Sequence, residues 1–218
     1  MGLDRPLGVQ YLAWLAAFVR GDWGYSYADG RPVFDRVMER IPATLELIGA
    51  ACALALTIAI PVAVVAASRR LVDRVSAPLA VAGISLPVFW FGLLLQLVFA
   101  NALGWLPSSG RQAFDGGGFA DRMAHLLLPA VVLAAALAAG WSRYLRRSMH
   151  EALALPFVAV ARSRGISEAR VTWRHALRVA LPPFVTVVLL DASMLASGAV
   201  VTESIFAWPG IGSLFTES

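Results

Sequence analysis

The sequence predicts an all-α protein, a polytopic transmembrane helical bundle. Of its 218 residues, 59% are apolar and only 15% are charged, with a mean hydropathy of +0.71, whereas a soluble domain carries about 25% charged residues. Four stretches are long and apolar enough to cross a bilayer as helices, and none alternates with the period of two that marks an outer-membrane strand. This composition excludes a water-soluble enzyme and a secreted binding module.

The predicted spans cover residues of about 44–68, 77–103, 124–142 and 183–203. Only Pro61 interrupts the first, and the prolines within the spans are compatible with helix because neighbouring helices satisfy the backbone groups that they free. Small residues recur four apart at Ala192/Ala196 and Ser193/Ser197. This spacing permits close helix approach, although alanine-rich spans also produce such pairs by chance.

The arginines predict the orientation of the spans. All 18 basic side chains are arginine, and eight of them fall in the connection between the third and fourth spans. A cytoplasmic excess of basic residues therefore places this connection and the first one inside, with both chain ends outside. The topology explains the basic pI, so no nucleic-acid partner is expected.

The N-terminal segment, residues 1–42, is expected outside the membrane. Val9–Val19 is too short to span and lacks the basic region of a signal peptide, which predicts an amphipathic or interfacial helix ending at Gly21. Because a polar segment would have to cross the membrane with no helix in front of it, we expect that the chain as given lacks an upstream span, or else inserts unusually.

The connection over residues 143–182 predicts a helix, a glycine turn and a second helix at the membrane surface. The third span continues as helix through Glu151, and Pro156 begins a short new helix. Gly165 suits the left-handed position after its end. Ser167 then caps the second helix, which is expected to run to about Ala180, before two prolines.

Two features of this connection predict contacts outside the chain. The second helix carries a basic stripe, Arg170, Arg174 and Arg178, that suits either anionic lipid headgroups or an acidic groove on a cytoplasmic partner. The first helix is small and apolar on one side, with Arg162 and Arg164 beside its turn, and a compact knob of this kind fits a protein cleft. The small apolar residues are Val158, Ala159 and Ala161.

The segment FVAVARSRGISEARVTWRHALRVALPP, residues 157–183, resembles the cytoplasmic loop of inner-membrane permeases in the dipeptide/oligopeptide branch of ABC importers. Further motifs extend the resemblance along the chain: Gly21-Asp22-x-Gly24-x-Ser26, RIPATLEL at 40–47, SLPVFWFGLLL at 85–95 and TESIFAWPGIGSL at 202–214. The family has six spans, of which this chain matches the second to the fifth.

The resemblance implies a permease subunit in a bacterial inner membrane, forming half of a path for peptides or similar solutes. It implies three partners besides membrane lipid: ATP-binding cassette ATPase subunits, a second similar permease, and a periplasmic or lipid-anchored substrate-binding protein. The loop corresponds to the EAA loop that docks on the ATPase, and the residues implied in coupling are Phe157, Ala159, Ala161, Arg162, Ser163, Arg164 and Gly165. The glutamate of the Glu-Ala-Ala motif is missing, since Ala159, Val160 and Ala161 stand there. The substrate is not identified, because similar permeases also handle nickel and sugars.

The residues themselves predict no catalysis. The absence of lysine and of a glycine-rich phosphate loop excludes an ATPase, so no cofactor is expected, and His125, His150 and His175 are too far apart for a metal site. A membrane-embedded hydrolase is the competing class, but no serine lies in a Gly-x-Ser-x-Gly elbow. A non-transporting scaffold or truncated remnant is the other alternative.

Asp191 is the candidate for the translocation pathway. An aspartate at a helix centre costs about 2.5–3.5 kcal/mol on insertion scales, so it should face the bundle interior or a water-filled path. There it would attract the amino group of a peptide. The alternatives are protonation in a dry site or a structural hydrogen bond to Ser193, Ser197 or a neighbouring helix.

The periplasmic C-terminal segment, residues 204–218, follows the fourth span. Glu203, Trp208, Pro209 and Gly210 stand at this outer end, and aromatic anchoring at the interface is an adequate role for the tryptophan. By resemblance, the segment belongs to the external face near the substrate-binding protein.

Overall fold

A computed structural model describes residues 6–113 and 116–217. The described part leaves out residues 1–5, 114–115 and 218. The predicted external segments 1–42 and 204–218 are therefore described from residue 6 and up to residue 217. The helices are α1 Leu7–Val19, α2 Val33–Ser68, α3 Arg70–Ser85, α4 Val88–Leu95, α5 Phe119–Leu153, α6 Pro156–Ser163, α7 Glu168–Arg170, α8 Leu177–Gly198, α9 Val200–Ile205 and α10 Ile211–Glu217. A π-helical segment, Gln96–Ala102, continues α4, and another, Val171–Ala176, joins α7 to α8. The predicted all-α fold is confirmed.

Within the described residues, three helices are long and apolar enough to cross a membrane: Val33–Ser68, Phe119–Leu153 and Glu168–Leu195. The second contains both the predicted span 124–142 and its predicted continuation through Glu151. The first begins well before residue 44: Pro32, with φ −57° and ψ 130°, is the residue before a helix that already starts at Val33. The side of the membrane on which each end lies stays a prediction.

The core of the bundle is the contact of α2 with α5. Ala51, Ala55, Ala59 and Ala63, each four residues from the next, are fully buried on α2. Three of them form one cluster with Leu137, Trp141 and Leu145 of α5 and with Ala176, Ala180 and Phe184 of the third long helix. Small side chains at this spacing let two helix backbones approach closely.

Of the small-residue pairs predicted in the fourth span, only the side chains of Ala192 and Ser193 are described. Ser193 is exposed, and its hydroxyl donates to the Leu189 carbonyl of its own helix over 2.8 Å. The side chains of Ala196 and Ser197 lie outside what the structure describes. The close packing seen among the described residues is that of the α2 alanines.

The predicted span over 77–103 is not one continuous helix. It is divided at Leu86–Pro87 into α3 and the shorter apolar helix Val88–Ala102. The residue before a proline is disfavoured in the α region, and Pro87 itself is extended, with φ −60° and ψ 128°. Hydropathy does not detect this break, because the residues on both sides of it are apolar.

The predicted helix end near Ala180 is also wrong. The helix continues through Pro182 and Pro183 to Gly198. Ala176, Ala180 and Phe184 pack in the same cluster on either side of the prolines, and packing against neighbouring helices overrides the local effect of proline. The predicted span 183–203 instead has its break at Ala199, between α8 and α9.

The predicted N-terminal helix is present as α1, Leu7–Val19, and its interfacial position stays a prediction. Gly21 follows it with φ +88°, and the rings of Phe18 and Trp23 stack with centroids 5.0 Å apart. The Trp23 ring also meets Phe34 of α2 edge-on at 5.2 Å. These aromatic contacts hold α1 against the start of α2.

Candidate functional site

The connection between the second and third long helices has the predicted helix–turn–helix form. Pro156 occupies the first turn of α6, and Gly165 adopts φ +76° just after its end. Ser167, with φ −62° and ψ 143°, precedes the next helix as predicted, although its side chain makes no capping hydrogen bond. A left-handed residue reverses the chain so that α6 folds back towards the helix that follows.

A small apolar cluster fixes α6 to the bundle. Val158, Ala161 and Val171 are buried together, and Leu153 and Ile166 pack against them. The cluster joins α6 to the end of α5 and to the start of the helix that leads into α8. Ala159, predicted on this packed side, is exposed instead, because residue 159 lies on the opposite side of α6 from residues 158 and 161.

The outer face of α6 carries two apolar side chains that are partly exposed. Phe157 and Val160, one helical turn apart, are 36% and 49% exposed. Ser163, Arg164 and Gly165 are exposed next to them. Exposed apolar residues rimmed by polar and charged ones mark a surface that contacts another protein or the membrane.

The two arginines beside the Gly165 turn are placed differently. The Arg162 guanidinium donates to both carboxylate oxygens of Glu168 across the turn, from Nε over 2.7 Å and from Nη2 over 3.1 Å. The hydrogen bond to Glu168 and the charge of that carboxylate raise the pKa of Arg162. Arg164 makes no ion pair with any residue that the structure describes. Of these two, Arg164 is therefore the one whose charge is available to a partner.

Asp191 lies beside a cavity of about 390 Å³. Its carboxylate Oδ2 accepts a 2.7 Å hydrogen bond from the indole Nε1–H of Trp141 on α5. Trp141 is buried and meets Phe184 edge-on. The cavity is otherwise apolar, lined by Val88, Leu133, Ala136, Leu137, Gly140, Met194, Leu195 and Val201.

This arrangement contains elements of both sequence interpretations of Asp191. A hydrogen bond to a neighbouring helix is present, as the structural alternative requires, and the carboxylate also lines an open cavity, as a pathway residue would. Sequence reasoning missed Trp141. The one signal in the sequence was that Trp141 is the only aromatic residue in the apolar segment 126–142.

At the opposite end of the bundle, Glu203 is completely buried. Its Oε1 accepts a hydrogen bond from the Thr44 hydroxyl over 2.9 Å, and its Oε2 accepts one from the Ser213 backbone N–H over 3.0 Å. Gly210 lies directly against the carboxylate, with no room for a side chain. The segments 40–47 and 202–214, far apart in sequence, thus contact each other.

Trp208 is not an interfacial anchor. It is fully buried, and its Nε1–H donates to the Ala43 carbonyl over 2.8 Å. The prediction from aromatic belts is wrong because the turn at Ala207, with φ 45°, directs the ring into the bundle rather than outwards. Pro209 beside it is partly buried.

Residues 59–218 match the family described as the binding-protein-dependent transport system inner membrane component. The chain belongs to this family. It is 42% identical to the oligopeptide transport system permease protein AppB of Bacillus subtilis (strain 168), over 100% of this chain and 70% of that protein. It is 40% identical to the di/tripeptide transport system permease protein DppB of Pseudomonas aeruginosa (strain UCBPP-PA14), over 97% of this chain and 69% of that protein. It is 38% identical to the glutathione transport system permease protein GsiC of Escherichia coli (strain K12), over 100% of this chain and 69% of that protein.

Family membership settles the class of protein. The chain is a permease component of binding-protein-dependent ABC transport and resides in the inner membrane. Members of the family are non-catalytic membrane subunits, which argues against the membrane-embedded hydrolase. Such a system implies an ATPase and a substrate-binding protein as partners.

Proposed function

We propose that the chain forms one half of the translocation pathway of an ATP-driven peptide importer and is driven through the outer face of α6. The exposed pair Phe157 and Val160 carries this proposal. We place residues 143–182 in the cytoplasm, following the arginine distribution. Residues 1–42 and 204–218 then lie on the periplasmic side.

The packing of α6 supports a mechanical role. Val158 and Ala161 are buried against Val171, and Val171 belongs to a helical stretch that continues without interruption from Glu168 to Gly198. A displacement of α6 by the ATPase would therefore move this helix as one body. In this mechanism the helix switches between two positions, and the nucleotide bound to the ATPase determines which position is favoured.

The cavity beside Asp191 supports the position of the pathway. Asp191 lies on the continuous helix that begins at Glu168, within the loop of residues 143–182 that we call the coupling loop. Its carboxylate supplies a negative charge to an apolar cavity. The positively charged amino terminus of a peptide is a suitable ligand for that charge. The names of the relatives, which refer to oligopeptides, di- and tripeptides and glutathione, support peptides as the substrate class.

A second, similar permease would complete the pathway. The α8 face that contains Val185, Leu189, Leu190 and Met194 is exposed, up to 75% at the methionine. An apolar helix face beside a charged residue is the kind of surface that another membrane subunit covers. The periplasmic substrate-binding protein would approach from the end at which Glu203 lies.

The experiment is reconstitution of the chain in proteoliposomes with its ATPase, second permease and binding protein. Uptake of labelled trialanine and of labelled glutathione is measured with ATP, without ATP, and without binding protein. The proposal expects uptake of at least one probe only when ATP and binding protein are both present. Uptake of neither probe, or uptake that does not depend on ATP, would overturn it.

A further inference from the structure

A buried carboxylate fastens the C-terminal segment to the beginning of α2. Glu203 on α9 has no exposed surface, and it contacts Thr44 on α2 and the backbone of Ser213 on α10. We call these three residues the Glu203 latch. Neither the coupling loop nor the Asp191 cavity uses it.

Further hydrogen bonds surround the latch and close it into a network. The Thr44 hydroxyl oxygen accepts a bond from the Ile211 N–H over 2.8 Å while its proton goes to Glu203. The Arg40 Nη1–H donates to the Ser213 hydroxyl over 2.9 Å, and that hydroxyl donates to the Gly210 carbonyl over 2.7 Å. Buried polar groups that satisfy one another in this way fix a single arrangement of the backbone.

Glycines give the carboxylate its space. A Cβ on Gly210 would lie 2.1 Å from Oε1 of Glu203, and one on Gly212 would lie 2.7 Å from the Cα of Val200. Ala207 nearby has φ 45°, a conformation that a non-glycine residue keeps only where its surroundings enforce it. The segment from Glu203 to Ser213 is thus shaped around the carboxylate.

The latch also determines the shape of the adjacent surface. A groove of about 470 Å³ runs between α10 and the N-terminal segment. One wall consists of Ile211, Leu214 and Phe215, which directly adjoin the latch at Ser213, and the other includes Trp23, Tyr25 and Tyr27. Release of the latch would free the first wall while leaving the second in place.

We propose that Glu203 is a positioning residue that holds α10 against α2 and thereby shapes the surface on which the substrate-binding protein docks. This inference rests on the proposed function for the identity of the docking partner. The latch itself makes no contact with the substrate. Its loss weakens docking of the binding protein and leaves the maximal rate of the assembled transporter unchanged.

Two variants remove the latch without altering Glu203. Gly210→Ala displaces the carboxylate, and Gly49→Ala, where nothing lies within 4 Å of an added Cβ, is its matched control on an adjoining helix. Thr44→Val removes the hydroxyl at nearly constant volume. Its matched control is Thr44→Ser, which keeps the hydroxyl and should behave as the wild type.

The first readout is the distance between nitroxide labels at Tyr27→Cys and Phe215→Cys, on opposite walls of the groove, in a Cys52→Ala background in nanodiscs. We expect a shifted and broadened distance distribution for Gly210→Ala and Thr44→Val, and the wild-type distribution for Gly49→Ala and Thr44→Ser. A wild-type distribution in both latch variants would overturn the inference. Because this readout needs no partner, it is independent of transport.

The second readout is the ATPase activity of the assembled importer, titrated with its binding protein. The latch variants should raise the half-saturating concentration of binding protein about tenfold, as the loss of one buried hydrogen bond predicts, with an unchanged maximal rate. A lower maximal rate at unchanged half-saturation would overturn the docking role. If the wild-type assembly itself shows no stimulation, the proposed function fails, and the docking role with it.

Discussion

The indole N–H of Trp141 donates a 2.7 Å hydrogen bond to the Asp191 carboxylate, linking α5 to α8 beside an open cavity. This contact gives an intramembrane acid one partner, as its cost in a membrane requires. The bond from Trp141 occupies Oδ2. The opposite oxygen, Oδ1, can therefore receive a cationic group from the cavity.

We predict that Asp191→Asn selectively impairs uptake of peptides with a free amino terminus. Loss of a charged hydrogen-bond partner should lower their uptake about tenfold, whereas N-acetylated peptides should be unaffected. Parallel uptake of trialanine and N-acetyltrialanine measures the difference. Equal effects on both peptides would refute the pathway role of Asp191.

Trp141→Phe provides the complementary variant, because it keeps the carboxylate and the aromatic packing but removes the donor. We expect a loss of about 0.5–1.5 kcal/mol in the free energy of unfolding, the net contribution of a typical intramolecular hydrogen bond, because the Asp191 carboxylate is only partly buried. The preference for a free amino terminus should remain. Thermal unfolding in detergent micelles checks the first expectation and the paired uptake assay checks the second.

Replacing Arg162 and Arg164 together by glutamate should uncouple ATP hydrolysis from uptake, and the structure separates their roles. Arg164→Glu alone should uncouple, because Arg164 has no ion-pair partner within the described part of the chain. The charge swap Arg162→Glu/Glu168→Arg should remain coupled, because it keeps the ion pair across the turn. Stability should change little, since exposed ion pairs contribute only about 0–1 kcal/mol.

The ratio of peptide imported to ATP hydrolysed measures both effects. Normal coupling in the Arg162→Glu/Arg164→Glu double variant would refute the docking role of these arginines. An uncoupled charge swap would instead show that Arg162 itself contacts the ATPase.

The close contact of α2 with α5 predicts a further effect on stability. Ala59→Leu inserts a large side chain at a fully buried position, and overpacking typically costs about 1–3 kcal/mol. Ala53→Leu, on an exposed position of the same helix, is the matched control and should change the midpoint of thermal unfolding little. Equal midpoints for the two variants would contradict the packing described for α2.

Local features of the coupling loop could be predicted from sequence because each depends on neighbouring residues. Proline at the first turn of α6 and glycine after its end have their own backbone preferences, and both occur where predicted. The break at Pro87 was missed because the prediction followed the continuous hydropathy of the span and not the local effect of proline on the residue before it. The continuation of the helix through Pro182 was missed because packing against neighbouring helices overrides the tendency of proline to end a helix.

Contacts between distant residues could not be predicted. Glu203 and Thr44 are separated by 159 positions, and nothing in either segment shows that the carboxylate is buried rather than exposed at an outer surface. The same holds for Trp141, whose partner is 50 positions away. The resemblance to permeases identified both outer motifs, but only the structure shows that they contact each other.

The outer face of α6 is the proposed point at which ATP hydrolysis moves the bundle. Val160→Asp places a charge in the centre of this face, and Ala169→Asp places the same charge elsewhere in the loop, on an exposed residue of α7. The decisive measurement is the number of peptides imported per ATP hydrolysed in proteoliposomes. We predict that this ratio falls at least about tenfold in Val160→Asp and stays at the wild-type value in Ala169→Asp, whereas a wild-type ratio in Val160→Asp would contradict the account.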